Sequence, residues 1–127
     1  MGCKVSYDDR ENIIELALTG AVSEADLNEA AKVWTRMTRD HGCGVLLVDA
    51  STQEEAPSMM ELYERPKLYA AELDRSFRVV FVMSHSPQVR EAAIFWGTVC
   101  RNRGWSVHMF EKREEAMEWL KAVNSSD

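Results

Sequence analysis

At 127 residues, 46% apolar and 28% charged, the chain has the size and make-up of one globular domain, expected to span 1–127. Its formal net charge of −6 gives an acidic surface, which repels phosphate backbones and argues against nucleic acid as a partner. No apolar run reaches membrane-spanning length and no secretory signal is visible, while the three cysteines are odd in number and irregularly spaced. Free thiols in a reducing, cytoplasmic setting are therefore expected.

In chain order, residues 3–8 and 12–19 form a predicted hairpin around the polar turn Asp8-Asp9-Arg10-Glu11. Its second arm alternates Ile14, Leu16 and Leu18 with Glu15, Ala17 and Thr19, giving one buried and one wet face. The opening Met1-Gly2-Cys3-Lys4-Val5-Ser6 matches a lipidation pattern, but a strand starting by Lys4 leaves no spacer for an anchor. Ser23 then caps a helix whose apolar positions are Leu27, Ala31, Trp34, Thr38 and His41, ended by Gly42 or Gly44.

Three strand-then-helix units follow. Val45-Leu46-Leu47-Val48 is continuously apolar, as a strand buried on both faces should be. A polar loop, residues 52–57, leads to a helix over 58–73 with Leu62, Pro66, Tyr69 and Leu73 as its apolar stripe. Pro66 should kink or split that helix near Arg65. The segment 52–70 is accordingly expected to be the most mobile ordered part. Strand 79–83 precedes a helix opened by Ser86-Pro87 and stopped by Gly104, with Trp96, Val99 and Cys100 on its inner face. Strand 105–110 and a helix carrying Ala116, Trp119, Leu120 and Val123 come next, then the polar tail Asn124-Ser125-Ser126-Asp127, expected to fray. The order ββαβαβαβα predicts an α/β fold, a mixed, mostly parallel five-stranded sheet packed with four helices.

This arrangement resembles the SpoIIAA-like family of small bacterial proteins, relatives of STAS domains and anti-sigma-factor antagonists. The residues that carry the resemblance are Leu18-Thr19-Gly20, Asn102-Arg103-Gly104-Trp105, Val107, Phe110, Glu114-Glu115-Ala116 and Trp119-Leu120. The resemblance implies a non-enzymatic regulatory module working through protein contacts. It also implies a phospho-acceptor serine near the start of the helix after the third strand. Ser58 falls there, downstream of Asp49 and Ser51 at the strand end. Pro57 and Met59-Met60 depart from the acidic and small residues expected beside such a serine, and a plain helix cap is the preferred reading of Ser58.

Ligands of α/β sheets usually bind at the carboxyl ends of parallel strands. Asp49, Ser51, Ser84 and His85 stand there, and Met59, Met60 and Tyr63 follow as candidate lid residues. No nucleophile elbow accompanies them, so no catalytic residue is assigned and an enzyme is not expected. His41-x-Cys43, with Cys100 and His108 elsewhere, lacks paired ligand spacing, and no Gly-rich phosphate loop occurs; no metal or cofactor is expected. Met60 and Leu68, with Ile94 and Phe95, lie off their helices' apolar stripes and form a candidate interface for a protein partner or a homodimer. The leading reading is a protein-contact module. The alternative is a carrier or sensor of a small apolar, lipid-like molecule held between the 58–73 helix and the sheet, where methionine would suit an adaptable pocket.

Overall fold

The structure, a computed structural model, describes residues 2–71 and 73–125. These residues form β1 (Cys3–Asp8), β2 (Ile13–Ala21), α1 (Glu24–His41), β3 (Val45–Glu55), α2 (Met59–Tyr69), β4 (Arg78–Val82), α3 (Pro87–Asn102), β5 (Ser106–Phe110) and α4 (Arg113–Ser125). Strand order in the five-stranded sheet equals chain order, with β1 antiparallel to β2 and every later pairing parallel. The expected α/β architecture is therefore the observed one. Among the described residues no helix is long and apolar enough to cross a membrane.

Local chemistry sets the helix starts. Ser23 accepts from the Asp26 amide at 3.1 Å and Asp26 accepts from the Ser23 amide at 3.0 Å, a reciprocal capping box. Ser58 and Glu61 repeat the device on α2, at 3.2 and 3.0 Å. Gly42, at φ 60°, ends α1 in the left-handed conformation that glycine adopts freely. Asn12, at φ 55°, closes the hairpin turn, and asparagine is among the few side chains at ease there.

The two sheet faces are unequal. α1, α2 and α3 cover one, over a core that includes Leu16, Leu18, Trp34, Leu46, Val48, Phe77 and Phe81. α4 covers part of the other, over Ile13, Leu47, Val80 and Val82. Period-two alternation in β3 sends Leu46, Val48 and Ala50 to the first face and Leu47 to the second.

Four expectations need correction. Residues 52–55 are strand, not loop: β3 runs on past the end of β4 and stays paired with β2, Gly20 opposite Gln53 and Ala21 opposite Glu55. Ladder hydrogen bonds on one side suffice there, so polar side chains are tolerated. The 58–73 helix ends at Tyr69. It is also unbroken at Pro66, whose ring is fully buried. One hydrogen bond is forfeited at that position, and burial of the ring offsets the loss. Finally, His41 is exposed and stacks on Tyr7 with ring centroids 3.8 Å apart, rather than continuing the buried face of α1.

β1 begins at Cys3, and the Gly2 carbonyl already accepts from the Thr19 amide at 2.8 Å. A Cβ on Gly2 would sit 2.7 Å from the Thr19 carbonyl oxygen, so the position admits only glycine without a shift. Met1 of the lipidation pattern lies outside the described residues, as do the last two residues of the polar tail.

Candidate functional site

The face under three helices is not completely filled. A cavity of about 80 Å³ lies between the sheet and α1, α2 and α3. Its floor is Leu16, Leu46, Val48, Val79 and Phe81 from the strands. Its walls are Trp34 from α1, Leu62 and Tyr69 from α2, and Ala92, Trp96 and Cys100 from α3. Burial pushes the Cys100 thiol up to about 12, so at neutral pH it is an uncharged, apolar part of the wall. α2 lies chiefly against α3 and meets the sheet through its side chains.

One charged side chain enters this apolar setting. Arg65 is 2% exposed and lines the cavity. Its Nε donates to the Tyr69 hydroxyl at 3.1 Å and its Nη1 to Asn28 Oδ1 at 2.8 Å. Burial raises the Tyr69 phenol above its ordinary pKa, while the adjacent guanidinium pulls the other way, so Tyr69 stays neutral and accepts. Glu24 supplies the counter-charge from the first turn of α1, with Oε1 3.5 Å from Arg65 Nη1. That separation is long for a charge-assisted hydrogen bond. Glu24 Oε2 is buried without a hydrogen-bond partner. Beside the cavity runs an open polar cleft lined by Ser23, Glu24, Glu55, Ser58 and Glu61. Ala56 and Pro57 line both spaces, so the β3–α2 connection forms the boundary between them.

No protein-family model matches the chain, and no curated protein matches it. Among solved structures, an uncharacterized DUF3478-family protein from Shewanella loihica PV-4, itself described as having a SpoIIAA-like fold, superposes with a TM-score of 0.58. The match covers 93% of this chain and 91% of that one at 15% identity. This chain has a SpoIIAA-like fold. The resemblance read from the residues around Asn102-Arg103-Gly104-Trp105 holds at the level of architecture.

Within the SpoIIAA-like fold the candidate residues separate into distinct places. Asp49 and Ser51 face α4, on the side of the sheet away from the cavity. Asp49 Oδ1 accepts from the Ser51 amide and hydroxyl at 3.0 and 2.7 Å, and Arg113 lies 3.3 Å from its Oδ2. Ser84 is buried and donates to the Gln53 carbonyl at 2.7 Å, tying the end of β4 to the extension of β3. His85 is exposed beside it. No nucleophile–base pair forms from these groups: Ser84 and Ser51 are both spent on local bonds. Ser58 is exposed and acts as the cap of α2. Met59, Met60 and Tyr63 point outward and are exposed, whereas Leu62, Arg65 and Tyr69 of the same helix line the cavity. Arg65, Glu24 and Asn28 were not singled out from the sequence. Among the described residues, no three His, Cys, Asp or Glu side chains come together as metal ligands. Cys43 instead directs its thiol at the Asn12 and Val45 carbonyls, at 3.1 and 3.3 Å.

Proposed function

We propose that this chain is a non-catalytic, cytoplasmic binding module that takes a small apolar molecule beneath α2 and reports its presence through that helix. The apolar cavity between α2 and the sheet is the observation that carries the reading. At about 80 Å³ it is smaller than the ~150 Å³ apolar cavity that admits benzene, and far below the ~300–1,000 Å³ of drug-sized sites. A ligand with an alkyl chain therefore requires α2 to move outward. The small backbone contact between α2 and the sheet supports such a movement, since elements that open come from the low-stability end of a fold.

Hydrogen exchange reads this directly. Amides of α2 should exchange well before those of residues 46–49 and 79–82, and octan-1-ol should slow them. Residues 52–55, being laddered to β2, should be protected with the strands. Equal protection of α2 and the central strands, unchanged by any apolar probe, would remove the mechanism.

A second reading, protein contact, has its own support. Met60 is 71% exposed, Leu68 58% and Ile94 53%, on the neighbouring helices α2 and α3, and Phe95 beside Ile94 is half-buried. Apolar groups clustered on an outer face mark an interface. Under this reading the wild type sediments as a dimer at roughly tens of micromolar, and dilution shifts it to monomer. Ile94→Glu should give a monomer with an unchanged fold, because the charge is buried only in the dimer; Phe95, half-buried in the single chain, is the less clean test. A wild type that is monomeric throughout that range leaves self-association without basis. The two readings converge on α2, whose inner side meets the cavity and whose outer side carries the apolar patch.

A further inference from the structure

Resting on the reading of the cavity as a ligand site, we propose that its ligand carries an uncharged head that both donates and accepts a hydrogen bond. A hydroxyl or primary amide on an aliphatic body fits, seated between Arg65 and Glu24. Three observations lead there. Arg65 is buried at the cavity wall, and among the described residues its hydrogen bonds leave from Nε and Nη1, none from Nη2. A guanidinium has five N–H groups, so donors remain for an incoming acceptor. Glu24 Oε2 is a buried acceptor with no partner, on the residue that neutralises Arg65. Among the described residues none donates to it, and Arg65 Nη1 approaches only the other oxygen, Oε1, at 3.5 Å.

Charge then selects among heads. Arg65 and Glu24 already balance one another. A carboxylate would meet Glu24 and, in the adjoining cleft, Glu55 and Glu61, with one cation to offset them. An ammonium would face the Arg65 guanidinium. A hydroxyl adds no charge, accepts from Arg65 and donates to Glu24. Its chain would enter the cavity along Leu62, Trp34 and Phe81, and its head would lie near Ala56 and Pro57, where the cavity meets the cleft.

The test compares an alcohol with its isomeric ether, so that apolar area is nearly constant, and adds a carboxylate of the same carbon count. Octan-1-ol, 1-methoxyheptane and octanoate are titrated against the full chain, followed by tryptophan fluorescence, since Trp34, Trp96 and Trp105 all line the cavity. The alcohol should bind about fivefold more tightly than the ether, which accepts but cannot donate, and more tightly than octanoate. Glu24→Ala should erase the alcohol-over-ether preference while retaining binding of both. Arg65→Met should weaken alcohol and ether alike. An ether that binds as well as the alcohol, a preference that survives Glu24→Ala, or octanoate as the tightest ligand overturns the head-group assignment and leaves the apolar site standing. Absence of binding by all three overturns the apolar site itself.

Discussion

Trp34→Ala is expected to destabilise the fold by about 3–5 kcal/mol and to enlarge the cavity into one that accepts indole. Trp34 is 3% exposed and is the ring around which the aromatic wall is arranged. Tyr69 of α2 lies 5.3 Å from it and Phe77, before β4, lies 6.0 Å away, centroid to centroid. Truncation removes the transfer free energy of the indole group and joins its volume to the space already there. Equilibrium urea unfolding should show a lower midpoint with an unchanged slope. Millimolar indole should stabilise the variant more than the wild type, since the variant offers the space without displacing α2. A loss below about 1 kcal/mol, or equal stabilisation of both proteins by indole, would contradict this placement of the ring.

Arg65→Ala carries the second large effect, a loss of about 3 kcal/mol, at the low end for breaking a buried ion pair. The low end applies because the Glu24 side chain is 28% exposed and can turn toward water once its partner is gone. Asn28 Oδ1 and the Tyr69 hydroxyl lose a donor at the same time, and the Ala side chain leaves a gap in the wall. Arg65→Met should cost clearly less, because a flexible apolar chain fills the same volume in surroundings already apolar. The ordering of the two variants in urea midpoint is the discriminating result. Equal, small losses from both would mean that the guanidinium is not a structural element of the wall.

The strands were the most legible part of the sequence, for a physical reason. Val45–Val48 and Val79–Val82 are buried on both faces, and continuous burial leaves an unbroken apolar run. The helix caps Ser23, Ser58 and Ser86 were equally plain, since short polar side chains before an amphipathic run have few other uses. Residues 52–55 were misread because composition favours a loop, while the deciding fact, pairing with β2 alone, is tertiary. The candidate site was legible in its apolar half only. Leu62 and Tyr69 stood on the expected stripe, but Arg65 was passed over because arginine is seldom fully buried. The signal was present in the spacing: Leu62, Arg65, Pro66 and Tyr69 are i, i+3, i+4 and i+7, which puts Arg65 on the inward face. Glu24 and Asn28, one turn apart on α1, gave the matching partners, though nothing local showed that α1 and α2 would be neighbours.

Because strand order follows chain order, α2 is the only link between β3 and β4, yet these strands do not depend on it for their alignment. Their ladder, from Val45 opposite Arg78 to Asp49 opposite Val82, is held by its own hydrogen bonds and flanked by β2 and β5. Of the described residues that join α2 to β4, 73–77 are themselves pinned: Leu73 and Phe77 are buried, and the Asp74 carbonyl accepts from Trp105 Nε1 at 3.2 Å. Under the proposed reading, a load on α2 would fall first on its contacts with α1 and α3, not on the β3–β4 ladder. A tilt of α2 would then cost what those neighbours give up, with the strand ladder left whole.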